Sequence, residues 1–268
     1  MDVQIRALDR AVQMGYSPFV DGPPPYPPVF SEPIHQQDGT VIGGYQRIAR
    51  EDTGDTLAIH TSSYELMPFG ESFAHLDAAV QDSTLDRTNL MIKTEYSHNG
   101  ARCFRSYLFP HINMAARTDD IISLQILAFD SYDGSYSRAI AAGGFRHICT
   151  NGMFFGKSIE QLRVKHTRNA ATRFINGLEK VMAAAETFTA MQPRIVAMTG
   201  VAMDPFRLKD YFISRFVTEA EEQTLYGAWN LLTSWASHSE GTAQTRIDRD
   251  RRVAALVDSR EWRRLEDA

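Results

Sequence analysis

The hydrophobic period of this chain changes once, near Asn169, and that change limits the fold more than any motif does. Upstream, from about Val41 to Thr150, apolar residues come in short runs broken by turn residues. Downstream, Ala171, Phe174, Ile175, Leu178, Val181, Met182, Ala185 and Phe188 recur at spacings of three and four. The first pattern is that of strands; the second is that of a helix with one apolar stripe. Short turns join antiparallel strands, whereas parallel strands need long crossovers. The predicted fold is therefore α+β: a mostly antiparallel sheet backed by a long amphipathic helix, with a C-terminal helical part. The chain divides into a proline-rich N-terminal arm (1–40), an α+β core (41–200) and a C-terminal helical region (201–268).

The turn chemistry places the elements. Asp52-Thr53-Gly54-Asp55 joins strands at Val41–Arg50 and Thr56–Ser62. His98-Asn99-Gly100 joins Leu90–Ser97 to Arg102–Phe109, and Asn-Gly between apolar runs is a strong hairpin signal. A strand follows at Asp120–Phe129, and Ala142-Gly143 reads as the turn between Ser135–Ala141 and Gly144–Thr150. Phe69–Gln81 is predicted helical, with Phe73, Leu76, Ala79 and Val80 inward. Thr167 or Asn169 caps the long helix, and Gln192-Pro193 ends it. Beyond it lie helices opening at Asp204-Pro205 and Thr218-Glu219-Ala220-Glu221, and a charged helix over Thr245–Leu265.

Composition removes several function classes. The 268 residues carry a net charge of −5, which argues against binding nucleic acid by bulk charge and leaves room for a local basic surface. Two cysteines make no disulfide framework, and the expected setting is a reducing cytoplasm. No run approaches the ~18 apolar residues of a membrane span. No phosphate-binding loop, dinucleotide fingerprint, HExxH or GxSxG occurs.

The informative chemistry lies between Ala128 and Lys180. Arg138, Arg146, Lys157, Arg163, Lys165, Arg168, Arg173 and Lys180 occur there with only Glu160 and Glu179 among them after the polar turn. Phe145, Phe154 and Phe155 interleave, with Tyr132 and Tyr136 just before. Cations with stackable rings suit single-stranded nucleic acid, because phosphates supply affinity and aromatic faces supply stacking. Lys93, Arg102 and Arg105 extend the patch. The competing reading is a solvated basic face over core rings. Asp130 and Asp133, three apart beside Gly134, suit a tight turn and also resemble half of a divalent-metal site. His147 and Cys149 share a strand face without the spacing of a closed zinc site.

At these residues the chain resembles a phage and plasmid protein family catalogued as domain of unknown function 932. The matching pieces are Tyr45-Gln46-Arg47 with Leu57 and Ser63-Tyr64, then Phe129–Ser135, Phe145–Gly152, Lys165-His166-Thr167-Arg168 and Ala228–His238. The family more often has Asn-Ser-His-Asp-Gly-Ser where this chain has Asp130-Ser131-Tyr132-Asp133-Gly134-Ser135. The resemblance covers roughly residues 40 to 268. It implies a mobile-element origin, a bacterial host cytoplasm, and an outline like that of single-strand annealing recombinases.

The expected function is that of a phage- or plasmid-encoded single-stranded-DNA-binding protein of the annealing type, homo-oligomeric and without a cofactor. The residues expected to touch nucleic acid are Arg138, Arg146, Lys157, Arg163, Lys165, His166 and Arg168, with Tyr136 and Phe154 stacking. One alternative is a metal-dependent nucleic-acid-processing enzyme with Asp130, Asp133, His147 and His166 converging. Another is a counter-defence or structural protein acting through protein contacts.

Overall fold

The computed structural model describes residues 3–20, 26–147, 151–153, 161–203, 223–241 and 243–267. Two antiparallel sheets carry the architecture. The larger has the order β1 (Ser17–Pro18), β5 (Met91–Ser97), β6 (Arg102–Arg117), β7 (Asp120–Ser131), β8 (Arg138–Arg146) and β10 (Gln161–Val164), with β9 (Asn151–Met153) also on β8. The smaller is β2 (Val29–His35), β3 (Val41–Arg50) and β4 (Thr56–Thr61). Every described strand pair is antiparallel.

Alternation assigns the two faces of the large sheet. Cys103, Tyr107 and Phe109 of β6, Leu124, Ile126 and Ala128 of β7, and Ile140 and Ala142 of β8 point into the main core. That face is covered by α2 (Phe69–Asp82), α3 (Ala170–Glu186), α4 (Gln192–Gly200) and α5 (Leu225–His238). An ion pair fixes α2 on it. Arg105 Nη2 donates to both oxygens of Asp77 at 2.8 and 3.0 Å, and its Nε donates to the Tyr107 hydroxyl at 2.6 Å. A buried guanidinium needs such a partner set.

The opposite face is only partly covered. Near one end, α1 (Val3–Gln13) packs Ala11 against Met91, Leu108 and Phe145, together with Tyr16. Ala254 of α6 (Ala243–Val257) lies on Leu127 and Ala141, beside Phe104 and Phe129. A short α7 (Arg260–Glu266) follows, capped by Ser259, whose Oγ accepts from Trp262 N at 3.1 Å.

Several expectations need correction. Ala142-Gly143 is not a turn. Arg138–Arg146 is one strand, and Gly143 and Gly144 sit opposite Gln125 and Leu124 inside the ladder. Glycine marks a turn only when the backbone uses its freedom, and neither residue has a positive φ. β6 runs past Phe109 to Arg117 because the register shifts between Phe109 and Asn113, where Pro110 needs no ladder donor. Val29–His35, read as part of the arm, is an edge strand, and its register shifts after Pro33 for the same reason. Gln192-Pro193 does not stop a helix but opens α4, with proline in the first turn. The C-terminal charged helix breaks at Asp258–Ser259 into α6 and α7. Ile175 is exposed, so the apolar stripe of α3 is narrower than its sequence suggests. The helix expected from Asp204 and the capping box at Thr218 lie outside the described residues; the described part of the second helix is α5, which starts at Leu225 behind an N-cap at Thr224.

The α3 start has its own logic. Asn169 adopts a left-handed conformation and offers no side-chain cap. The carboxylate of Glu65 accepts from Ala170 N at 3.2 Å instead. Further along, α3 lies against β10 at Gly177, where a Cβ would come within 2.2 Å of Leu162. The edge strand is thus held by contact with glycine backbone.

Candidate nucleic-acid interface

The Asp130 turn is a polar knot tied between the two sheets. Asp130 is fully buried. Its Oδ2 accepts from Arg138 Nε at 2.7 Å and from Ser72 Oγ at 3.2 Å, and its Oδ1 from Ser131 N at 2.8 Å. His166 Nε2 lies 3.0 Å from Oδ1, off the hydrogen-bonding line. His60, Tyr64 and His166 stack in series, with ring centroids 4.0 and 5.0 Å apart and planes within 13° of parallel. Tyr132 is structural. It stacks on Phe69 at 3.9 Å, and its hydroxyl accepts from Phe69 N at 2.7 Å. Burial raises the Tyr64 and Tyr132 phenols well above their ordinary value.

The four groups expected to converge on a metal do not share a cleft. Asp133 turns away to accept from Arg102 Nε at 2.6 Å and from Ser135 N at 3.0 Å. Burial pushes its carboxyl up, but these donors outweigh that and hold it below the usual range. His147 bonds Ser123 Oγ at 2.7 Å. Ser123 precedes Asp130 by seven residues on β7, about 23 Å along a strand. Among the described residues no group of three His, Cys, Asp or Glu side chains is placed to hold a metal.

The expected nucleic-acid contacts separate into four sets. Arg138 is buried against Asp130, with its guanidinium also over the Phe174 ring at 5.3 Å. Arg146 pairs with Asp120, Nε to Oδ1 at 2.6 Å, and Tyr226 donates to the same carboxylate at 2.7 Å. His166 is buried in the knot. Arg163 on β10, then Lys165 and Arg168 just after it, are exposed. Lys157 and Phe154, like Cys149, lie outside the described residues. Tyr136 is buried at the wall of a cleft.

That cleft, about 530 Å³, opens on the partly covered sheet face between β5, β6, β7, α5 and α6. Phe104 and Phe129 are cross-strand partners with ring centroids 5.1 Å apart, and Tyr136 meets Phe129 edge-on at 6.5 Å. Lys93 and Arg102 stand among the rings, whereas Arg105 is on the opposite face with Asp77. The register continues the row: Phe104 opposes Phe129, Phe129 opposes Ala139, and Ala139 opposes Arg163. Exposed Arg163 thus stands two strands, about 10 Å, from Phe129 on one face.

The family model described as "Domain of unknown function (DUF932)" matches residues 56–257. The chain belongs to this family. Two relatives, UPF0380 protein YfjQ and UPF0380 protein YafZ of Escherichia coli (strain K12), are each 28% identical over 81 residues, 30% of this chain. The chain spans about 29% of the length of each. No solved structure matches it. The matched DUF932 segment contains the knot, most of the cleft and the β10 edge. Sequence reasoning missed Phe104, Phe129 and Asp250 as cleft residues. The first two read as ordinary strand residues, and only the β6–β7 register brings them face to face. Among the described residues of this DUF932 chain, no helix is long and apolar enough to cross a membrane.

Proposed function

We propose that this protein binds single-stranded DNA as a phage- or plasmid-encoded annealing or recombination protein. The observation that carries the reading is the cross-strand row from Phe104 and Phe129 to Arg163, which sets stackable rings and an exposed edge cation on one face. Bases stack on the cleft rings while the backbone follows the β10 edge past Arg163, Lys165 and Arg168. Stacking on aromatic faces tolerates any base, and phosphate contacts supply salt-sensitive affinity. Pairing of complementary strands then needs strands held extended on an oligomer, without ATP or bond chemistry. The smaller sheet exposes Val41, Tyr45 and Ile59, apolar side chains suited to such self-association. The expected setting is the cytoplasm of a bacterial host.

The test is fluorescence anisotropy of a labelled oligothymidylate over a salt series, for wild type and the triple variant Arg163→Ala/Lys165→Ala/Arg168→Ala. Micromolar-or-better binding that weakens with salt and is removed by the triple change supports the reading. Absence of binding at low salt, with and without magnesium, would falsify it. Sedimentation of the same samples reads the self-association.

A further inference from the structure

Asp250 on α6 stands in the cleft wall with no established work in the fold. Among the described residues no hydrogen-bond donor pairs with its carboxylate, and only Arg246, one turn earlier on the same helix, favours its charge. Two other cations of the cleft, Lys93 and Arg102, are matched. Lys93 lies 2.9 Å from Glu95 on β5, and Arg102 on β6 gives its Nε to Asp133. His238 faces in from α5, and Ser97, Gln125, Ser237 and the Tyr16, Tyr96 and Tyr136 phenols add uncharged polar groups to the lining. Burial raises all three phenols, so they remain neutral hydroxyls. An ionised carboxylate only accepts hydrogen bonds. Left poorly solvated and without donors it is costly, and a ligand that brings donors relieves that cost.

We propose that the cleft is a subsite for one base of the bound strand, guanine, stacked on the Phe104–Phe129–Tyr136 group and donating from N1–H and its 2-amino group to the two oxygens of Asp250. The proposal rests on the strand-binding reading above. Guanine is the base that presents two adjacent donors on one edge. Adenine and cytosine offer a donor beside an acceptor, and thymine offers one donor between two acceptors. Against a carboxylate, each of those acceptors meets a lone pair. Unstacked bases are read in this way, by stacking plus their pairing edges. The cleft volume of about 530 Å³ admits a purine. Burial lifts the Asp250 carboxyl to about 7, against the opposing influence of Arg246. The preference therefore strengthens from pH 6 to pH 8 as the acceptor pair forms.

Titration calorimetry with guanosine and with adenosine at pH 8 and pH 6 tests this, on wild type and Asp250→Asn. Labelled oligothymidylate serves as a parallel probe of strand binding, and a thermal melt confirms that the variant folds. The expected result at pH 8 is at least 10-fold tighter binding of guanosine than adenosine. In Asp250→Asn the ratio should fall below about 3-fold while oligothymidylate binding is retained, and in wild type it should shrink at pH 6. Oligothymidylate binding with no guanosine preference, or with a preference that survives Asp250→Asn, overturns the guanine subsite and leaves strand binding standing. Loss of both kinds of binding in wild type overturns both. Asp250-dependent guanosine binding without oligothymidylate binding supports the base contact and overturns the strand reading.

Discussion

Arg138 Nε meets Asp130 Oδ2 at 2.7 Å, and both side chains are shut away from solvent. An arginine in a basic run reads as a phosphate contact, yet this one joins β7 to β8. Removing one partner of a buried pair strands the other charge, at a cost of about 3–5 kcal/mol. Arg138→Ala should therefore lower the urea midpoint strongly. The double change Asp130→Leu/Arg138→Met should recover much of the loss, because neither charge then remains uncompensated. An Arg138→Ala protein with an unchanged midpoint would contradict the buried role.

The exposed edge should behave in the opposite way. Arg163, Lys165 and Arg168 are exposed, so each alanine variant should keep its stability to within about 0.5 kcal/mol. Each should instead flatten the log–log salt dependence of oligothymidylate binding by about 0.7, the share of one phosphate contact on a single strand. Slopes equal to wild type in all three variants would remove the β10 edge from the interface.

The contrast between Arg138 and Arg163 shows what the sequence makes legible. Strand and helix periods were readable because they follow from burial, so the α+β class, the Asn99-Gly100 hairpin and α3 could be placed. Elements were misread where one residue type serves two ends. Gly143 and Gly144 suit a turn and also a flat, crowded strand. Pro193 suits a helix stop and also a helix start. The site was the least legible part. Arg138 and Arg163 differ only in strand register and in what covers each face, and neither is local. Asp250 lies 114 residues after Tyr136 and shares its cleft only through α6 docking.

His147 should make the fold acid-sensitive. Burial is the main cause that lowers its pKa to about 4, helped by the Arg10 charge. The unfolded chain takes up this proton near pH 6.5 and the folded chain only near pH 4. The neutral ring's contribution is then fully present above pH 6.5 and is lost as the pH falls toward 4, up to roughly 3 kcal/mol. Urea unfolding of wild type should show that decline on top of any other acid effects. His147→Gln should flatten it between pH 6.5 and 4, while a parallel decline in both proteins would place the sensitivity elsewhere.

Asp250 should act with the reverse sign. Burial raises its carboxyl from 3.8 to about 7, so the folded chain holds the proton more tightly than the unfolded one. As pH rises from about 4 to 7 the unfolded chain releases its proton first, and stability falls across that window before levelling off. The whole shift corresponds to roughly 4 kcal/mol. The side chain is partly open to the cleft, so solvent screens part of this, and about 1–3 kcal/mol is expected. Asp250→Asn should then be more stable than wild type by that amount at pH 8 and nearly equal to it at pH 4, by urea unfolding at both values. A gain in stability together with loss of the guanosine preference would mark Asp250 as a group whose charge is kept at the fold's expense for a ligand. A stability at pH 8 equal to or below that of wild type would mean that the carboxylate already has donors in the folded protein, and that the cleft has no unfilled acceptor pair for a base to meet.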